Sequence, residues 1–166
     1  MSRSPGRILD PFAGRPSVSG EKAVIAGQLA IIVAAVFAGA AVYINAAEQP
    51  ARLSLDDRSL LLEWRPAYKR GFGMQAPLAV IGFLLGVLAW WQTENWRWIV
   101  GALILISNWP YTLLGIMPTN RKLMTADPTT AGPESRGLVL KWGRLHAVRT
   151  ALGCAATFSF LWASVR

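Results

Sequence analysis

One histidine, one cysteine and nine carboxylates in 166 residues leave little material for cofactor chemistry. With only His146 and Cys154, a single chain cannot build a bis-histidine haem site, a multi-histidine copper site or a thiolate zinc site. A lone cysteine also forbids an intrachain disulfide, and in the middle of an apolar run Cys154 reads as a small buried residue. No GxGxxG or phosphate-binding loop occurs, because Gly71-Phe-Gly73 lacks both a preceding strand and the third glycine. Internal repeats are absent, as is the alternating ten-residue pattern of a membrane barrel, and nothing supports a nucleophilic triad.

Uncharged length is abundant instead. Hydrophobic residues make up 53% of the chain and charged residues 16%, gathered into patches that leave four long runs. These lie at about 23–46, 71–91, 98–117 and 145–165, close to the ~20 residues that a helix needs to cross hydrocarbon. The fourth run begins with Arg149 near its end, where a long side chain can reach the headgroups. Lipid offers no partner to a bare backbone, so the runs are expected to be helical. The fold class read from this pattern is all-α, an integral membrane four-helix bundle over residues 23–166. Residues 1–22, rich in proline, glycine and arginine, are expected to be a flexible basic tail rather than a cleaved signal peptide. Ser54 followed by Asp57 resembles a capping box that opens a short interfacial helix between spans one and two, ended or interrupted at Pro66.

The net charge of +8 points to the lipid bilayer as partner rather than to nucleic acid, because the basic residues flank apolar runs. Ten lie in the two long connections, against six in the tail, the short turn after Trp91 and the C-terminus. That asymmetry places the long connections in the cytoplasm of a bacterial inner or cell membrane. In span one, Gly27, Ala34, Ala35, Ala38, Gly39 and Ala41 could serve close helix contact, so a homo-oligomer or another membrane protein is a further possible partner.

The polar residues are few and converge. At helical pitch Trp142, His146, Arg149 and Gly153 form one stripe. Asn108 lies near mid-depth of span three, where Pro110 leaves the Ile106 carbonyl without its usual donor. Asn45, Glu48, Arg52, Glu63, Tyr68, Gln75 and Asn120 all belong to the same membrane face as that stripe, given the order of the spans. Ionisable groups that reach into a bundle are by default a site. His146 is the best base by its ordinary pKa of about 6.5, with Glu48 or Glu63 as alternatives, and Arg149, Asn120, Asn108 and the Trp142 indole are candidate donors. Asn45, Arg52, Glu63, Tyr68, Gln75, Asn108, Asn120 and Trp142 are the candidate substrate contacts. A single metal held by His146, Glu48 and Glu63 is conceivable; no other metal or organic cofactor is expected. The alternative is a non-enzymatic small membrane subunit that packs through span one.

The phrases Pro118-Thr-Asn120-Arg-Lys-Leu123 and Trp142-Gly-Arg-Leu-His146-Ala-Val-Arg149, after a first span that closes on Pro50-Ala-Arg52, resemble the anthrone oxygenase-like (noranthrone monooxygenase-like) family of small four-helix membrane proteins. The resemblance covers about residues 23–164. At His146 the chain departs from the family pattern, which often carries asparagine there. The resemblance implies oxidation of a lipophilic aromatic small molecule, a phenolic anthrone, to the anthraquinone by molecular oxygen without an organic cofactor. Such a substrate would come laterally from the bilayer. The protein must then supply one base, donors for a developing oxyanion and an apolar pocket.

Overall fold

A computed structural model describes residues 18–165, with side chains from Ile25 onward. Every described element is helical: α1 (Val18–Tyr43), α2 (Gln49–Leu53), α3 (Asp57–Thr93), α4 (Trp96–Ile106), α5 (Asn108–Tyr111), α6 (Met117–Thr125) and α7 (Pro133–Ser164), with a short 3₁₀ turn at Pro128–Thr130. α1 begins inside the stretch expected as tail, and residues 1–17 lie outside the described residues. Two π-helical turns, Ile44–Glu48 and Thr112–Ile116, weld α1 to α2 and α5 to α6. Four rods result, and α1 and α4 each pack against both α3 and α7.

Both π turns end two residues before a proline, Pro50 and Pro118. A proline ring collides with the carbonyl four residues back, and a widened turn moves that carbonyl aside. The extra residue also shifts the inward-facing register. Ile44 and Asn45 both turn toward neighbouring helices, and the next buried position is Gln49 instead of Glu48. Pro66 and Pro77 are carried inside α3 without such a turn.

The separate interfacial helix expected between spans one and two does not form. Ser54 closes the preceding helix instead, its hydroxyl donating to the Ala51 carbonyl at 2.7 Å. Asp56 is the N-cap, accepting from the Arg58 and Ser59 amides at 3.1 and 3.0 Å. From there α3 runs unbroken for 37 residues, about 55 Å at helical rise and well beyond the ~30 Å of hydrocarbon. Each rod likewise outruns its apolar run at the end where the long connections lie. Three stretches, Ile25–Leu53, Asp57–Thr93 and Trp96–Thr125, are long and apolar enough to cross a membrane. α7 carries Lys141, Arg144 and Arg149 ahead of its apolar half.

Two apolar cores follow. One, in the lower half, joins Ala30, Ala34, Phe37, Ala79, Ala102, Leu105, Ala156 and Phe160. Its outer surface exposes Ile32, Val36, Leu84, Leu103 and Phe158, a covering suited to hydrocarbon. The second core, where the long helices extend, joins Leu60, Leu61, Trp64, Ile116, Leu123, Val139 and Trp142. Ion pairing closes this head, with Arg136 held by Asp57 and by the Leu53 carbonyl at 2.9 Å.

Close packing in the lower core depends on glycine. A Cβ on Gly101 would lie 2.5 Å from the Phe160 ring, while one on Gly39 would meet nothing within 4 Å. Gly101→Val is therefore expected to lower stability by about 1–3 kcal/mol through overpacking, read as a drop in the thermal midpoint in detergent, and Gly39→Ala to leave it unchanged. At the start of α3, hydrogen bonds from the Ser59 hydroxyl and then from the Ser59 and Arg58 amides hold the Asp56 carboxyl below its ordinary range. A depressed carboxyl stabilises the fold above the unfolded-chain pKa of about 3.9, and that stabilisation is lost as pH falls through the lower folded value. Thermal scans should therefore show Asp56→Ala less stable than the parent at neutral pH and indistinguishable from it in strong acid.

Candidate functional site

Between the two cores lies a layer of buried polar side chains. Gln49, Arg52, Gln75, Asn108, Thr112, Asn120, His146 and Arg149 are each less than 8% exposed. They come from all four rods. The two π turns sit at this level, and their register shifts bring Asn45 and Thr112 inward.

Asn45 ties the first rod to the last. Its amide nitrogen donates to the Gly143 carbonyl at 3.0 Å. Its carbonyl oxygen therefore faces the other two partners, Thr150 Oγ1 at 2.8 Å and His146 Nδ1 at 2.7 Å. An amide oxygen only accepts, so Nδ1 carries the proton, and in the neutral imidazole Nε2 is then the unprotonated nitrogen. No hydrogen bond engages Nε2 among the described residues. Trp142 stacks on the imidazole, with ring centroids 5.0 Å apart and planes at 28°. Trp142 is held in turn by an edge contact from Trp64 at 5.7 Å, and Trp64 stacks flat on Tyr68 at 5.0 Å. The imidazole thus has two fixed constraints, one in its plane and one on its face.

The two buried arginines differ. Arg52 is saturated, pairing with Glu48 and Glu63 and donating to Gln49 Oε1 at 2.9 Å. Gln49 passes the tie on to the Val139 carbonyl at 3.0 Å, a close approach that Gly143 permits, since a Cβ there would lie 2.8 Å from Gln49 Nε2. Arg149 has no carboxylate within reach among the described residues and donates no hydrogen bond to them; its guanidinium lies 5.6 Å over the Phe37 ring. Around it Gln75 Nε2, Asn108 Oδ1 and both polar atoms of Asn120 are also buried without partners, as is Arg149 Nε itself. Such groups are rarely left unpaired, and their gathering in one layer marks where a ligand or ordered water belongs.

Two small cavities open on this layer. One is lined by His146, Trp142, Tyr68, Asn120 and Glu48; the other by Asn108, Thr112, Trp109, Leu113 and Ala76. Phe72, Gln75 and Arg149 line both.

Of the residues singled out from sequence, Glu48, Tyr68, Gln75, Asn108, Asn120, Trp142, His146 and Arg149 line the cavities. Arg52 and Glu63 line neither and face each other. Asn45 contacts His146 rather than a cavity. Among the described residues no three of His, Cys, Asp and Glu gather as metal ligands, so His146, Glu48 and Glu63 do not form such a group. Thr150, Phe72 and Trp109 went unnoticed in the sequence. Thr150 had a signal, lying one turn from His146 on the same stripe; the two aromatics had none.

The family model described as anthrone oxygenase matches residues 64–159. The chain belongs to the anthrone oxygenase family. No curated protein and no solved structure matches it. The matched segment takes in the cavity-lining side chains of α3, α5, α6 and α7 and omits Asn45 and Glu48 from the first rod.

Because His146 is the only histidine in the chain, its ring nitrogens can be read without assignment. Nitrogen-15 spectra of the neutral imidazole are expected to show the proton on Nδ1. Asn45→Leu should shift the tautomer toward a mixture, and an Nε2–H form in the parent protein would refute the assignment.

Proposed function

We propose that this protein is a membrane-embedded oxygenase that oxidises a lipophilic phenolic substrate of the anthrone type, using molecular oxygen and no organic cofactor. The four rods act as a transmembrane bundle, with the long connections and the polar layer toward the cytoplasm of a bacterial cell membrane. The single observation that carries the reading is that His146, held at Nδ1 by the Asn45 carbonyl oxygen, and Arg149, without a carboxylate partner among the described residues, line one cavity. A base and a cation beside each other suit a reaction in which proton removal creates an oxyanion.

The steps balance without an external reductant. His146 Nε2 takes a methylene proton from the anthrone, and the electron pair left behind delocalises onto the ring carbonyl oxygen, which Arg149 and the amides of Gln75 and Asn120 receive. The carbanion passes one electron to oxygen, and the radical and superoxide combine as a carbon-bound peroxide, protonated by the imidazolium. Loss of the second C–H proton breaks the O–O bond, leaving the quinone carbonyl and one water. One oxygen atom enters the product and the other leaves as water. Trp142 and Tyr68 offer flat apolar surfaces to the rings.

The alternative, a subunit that packs through α1, has less support. Gly27, Ala34, Ala38 and Ala41 are already buried within the chain, leaving Ala35 and Gly39 exposed.

Purified protein in lipid is expected to consume oxygen when given an anthrone, one molecule per quinone formed. His146→Ala should slow turnover by about 10²-fold or more, and Arg149→Ala by about 10²-fold, with helical content unchanged. Equal rates in parent and both variants, measured with an oxygen electrode, would rule out this site.

A further inference from the structure

The cavity lined by Asn108 and Trp109 has a use that the proton-transfer chemistry at His146 leaves unassigned. We propose that the gap between α3 and α5 is a doorway through which a lipophilic ligand bearing an acidic oxygen leaves the bilayer and docks that oxygen on Arg149. The outer wall of this cavity consists of Phe72, Trp109 and Leu113, which are 38%, 38% and 52% exposed on an apolar surface. Its inner end consists of Gln75, Asn108 and Arg149, all buried, each with a polar atom that no group among the described residues satisfies. The passage therefore grades from an exposed aromatic rim to a buried cation. A neutral hydrocarbon gains nothing at the inner end. An ionised phenol or enol gains a charge-assisted hydrogen bond in a site where the cation otherwise stands alone.

The doorway is closed as described. Each cavity has a volume of about 20 Å³, room for about one water, so a fused aromatic ring has to displace the rim. Trp109 latches it, the indole nitrogen donating to the Ala76 carbonyl of α3 at 3.2 Å. The latch sits on a segment built to yield. α5 is a single turn, with Pro110 removing one helical hydrogen bond before it and the π turn Thr112–Ile116 behind it. Because Phe72, Gln75 and Arg149 also line the cavity of His146, an oxygen docked on Arg149 brings the attached rings to the base.

This deepens the oxygenase reading and rests on it for the step that follows docking. The test uses a ligand that cannot be turned over, so the two stand or fall separately. Full-length protein in lipid nanodiscs is titrated with a β-hydroxyanthraquinone and with its methyl ether, which has the same rings but no ionisable oxygen. The hydroxyl compound is expected to bind about ten-fold more tightly or better, and Arg149→Gln to abolish that preference. Stopped-flow association should slow about ten-fold in Ala76→Leu, which fills the rim, and stay at the parent rate in Ala155→Leu, an exposed position on α7 lining neither cavity. Equal affinity of the two compounds for the parent protein overturns the anchoring at Arg149 without need of any variant. Unchanged association in Ala76→Leu overturns the doorway. Oxygen consumption that fails while these binding results hold removes the reaction and leaves the doorway in place.

Discussion

An arginine buried among helices, with no carboxylate to face among the described residues, sets the terms for the structure around it. Burying a cation without a partner is costly, and proteins normally neutralise it or tie it into a network. Arg52, in the same polar layer, follows that rule completely, with two carboxylates and an amide around its guanidinium. Arg149 does not, and it shares its cavities with uncharged amides that have unsatisfied atoms of their own. The fold can tolerate such a group because it lies between two well-packed apolar cores that fix the helices on either side. In the proposed reaction its charge meets the oxyanion of the substrate.

The two arginines divide the polar layer into a structural and an open half. On the structural side, Arg52, Gln49 and Asn45 stitch the first rod to α7 through the Val139 and Gly143 carbonyls, and the same stitching fixes the imidazole of His146. On the open side, Gln75, Asn108, Asn120 and Arg149 project from three different rods toward the cavities. Trp142 belongs to both, packing into the head core on one face and against His146 on the other. In the proposed reaction the first half holds the base still, and the second half accepts the charge that the base creates.

Much of this was legible from composition and spacing. Four uncharged runs imply helices, because a backbone in hydrocarbon has no other partner, and the stripe from Trp142 to Gly153 does face inward. The ends of the rods were not legible. Hydropathy reports only the depth that lipid covers, so the continuation of α3 back to Asp57 and of the first rod to Leu53 was invisible to it. Pro66 reads as a break when only local sterics are considered, yet α3 passes through it, since one missing hydrogen bond is outweighed by the packing of Leu60, Leu61 and Trp64. The same packing leaves Asp56 in the extended conformation that a cap requires, in place of Ser54.

Sequence alone decided that the chain is helical, that its polar residues gather at one level of the rods, and that one histidine and one arginine lie a turn apart there. Those properties follow from hydrophobic pattern and helical pitch, which are local. Beyond the local pairs that Arg52 makes with Glu48 and Gln49 one turn back, tertiary structure alone decided which of the polar groups satisfy one another. Glu63 could have met Arg149 as readily as Arg52 by charge, and Asn45 could have faced a ligand. The π turns before Pro50 and Pro118 rotate the following residues by one position, and no pairwise spacing along the chain encodes where a rotated helix meets its neighbours. That rotation turns Asn45 to His146, while the packing of the rods sets Glu63 against Arg52 and leaves Arg149 without a carboxylate among the described residues.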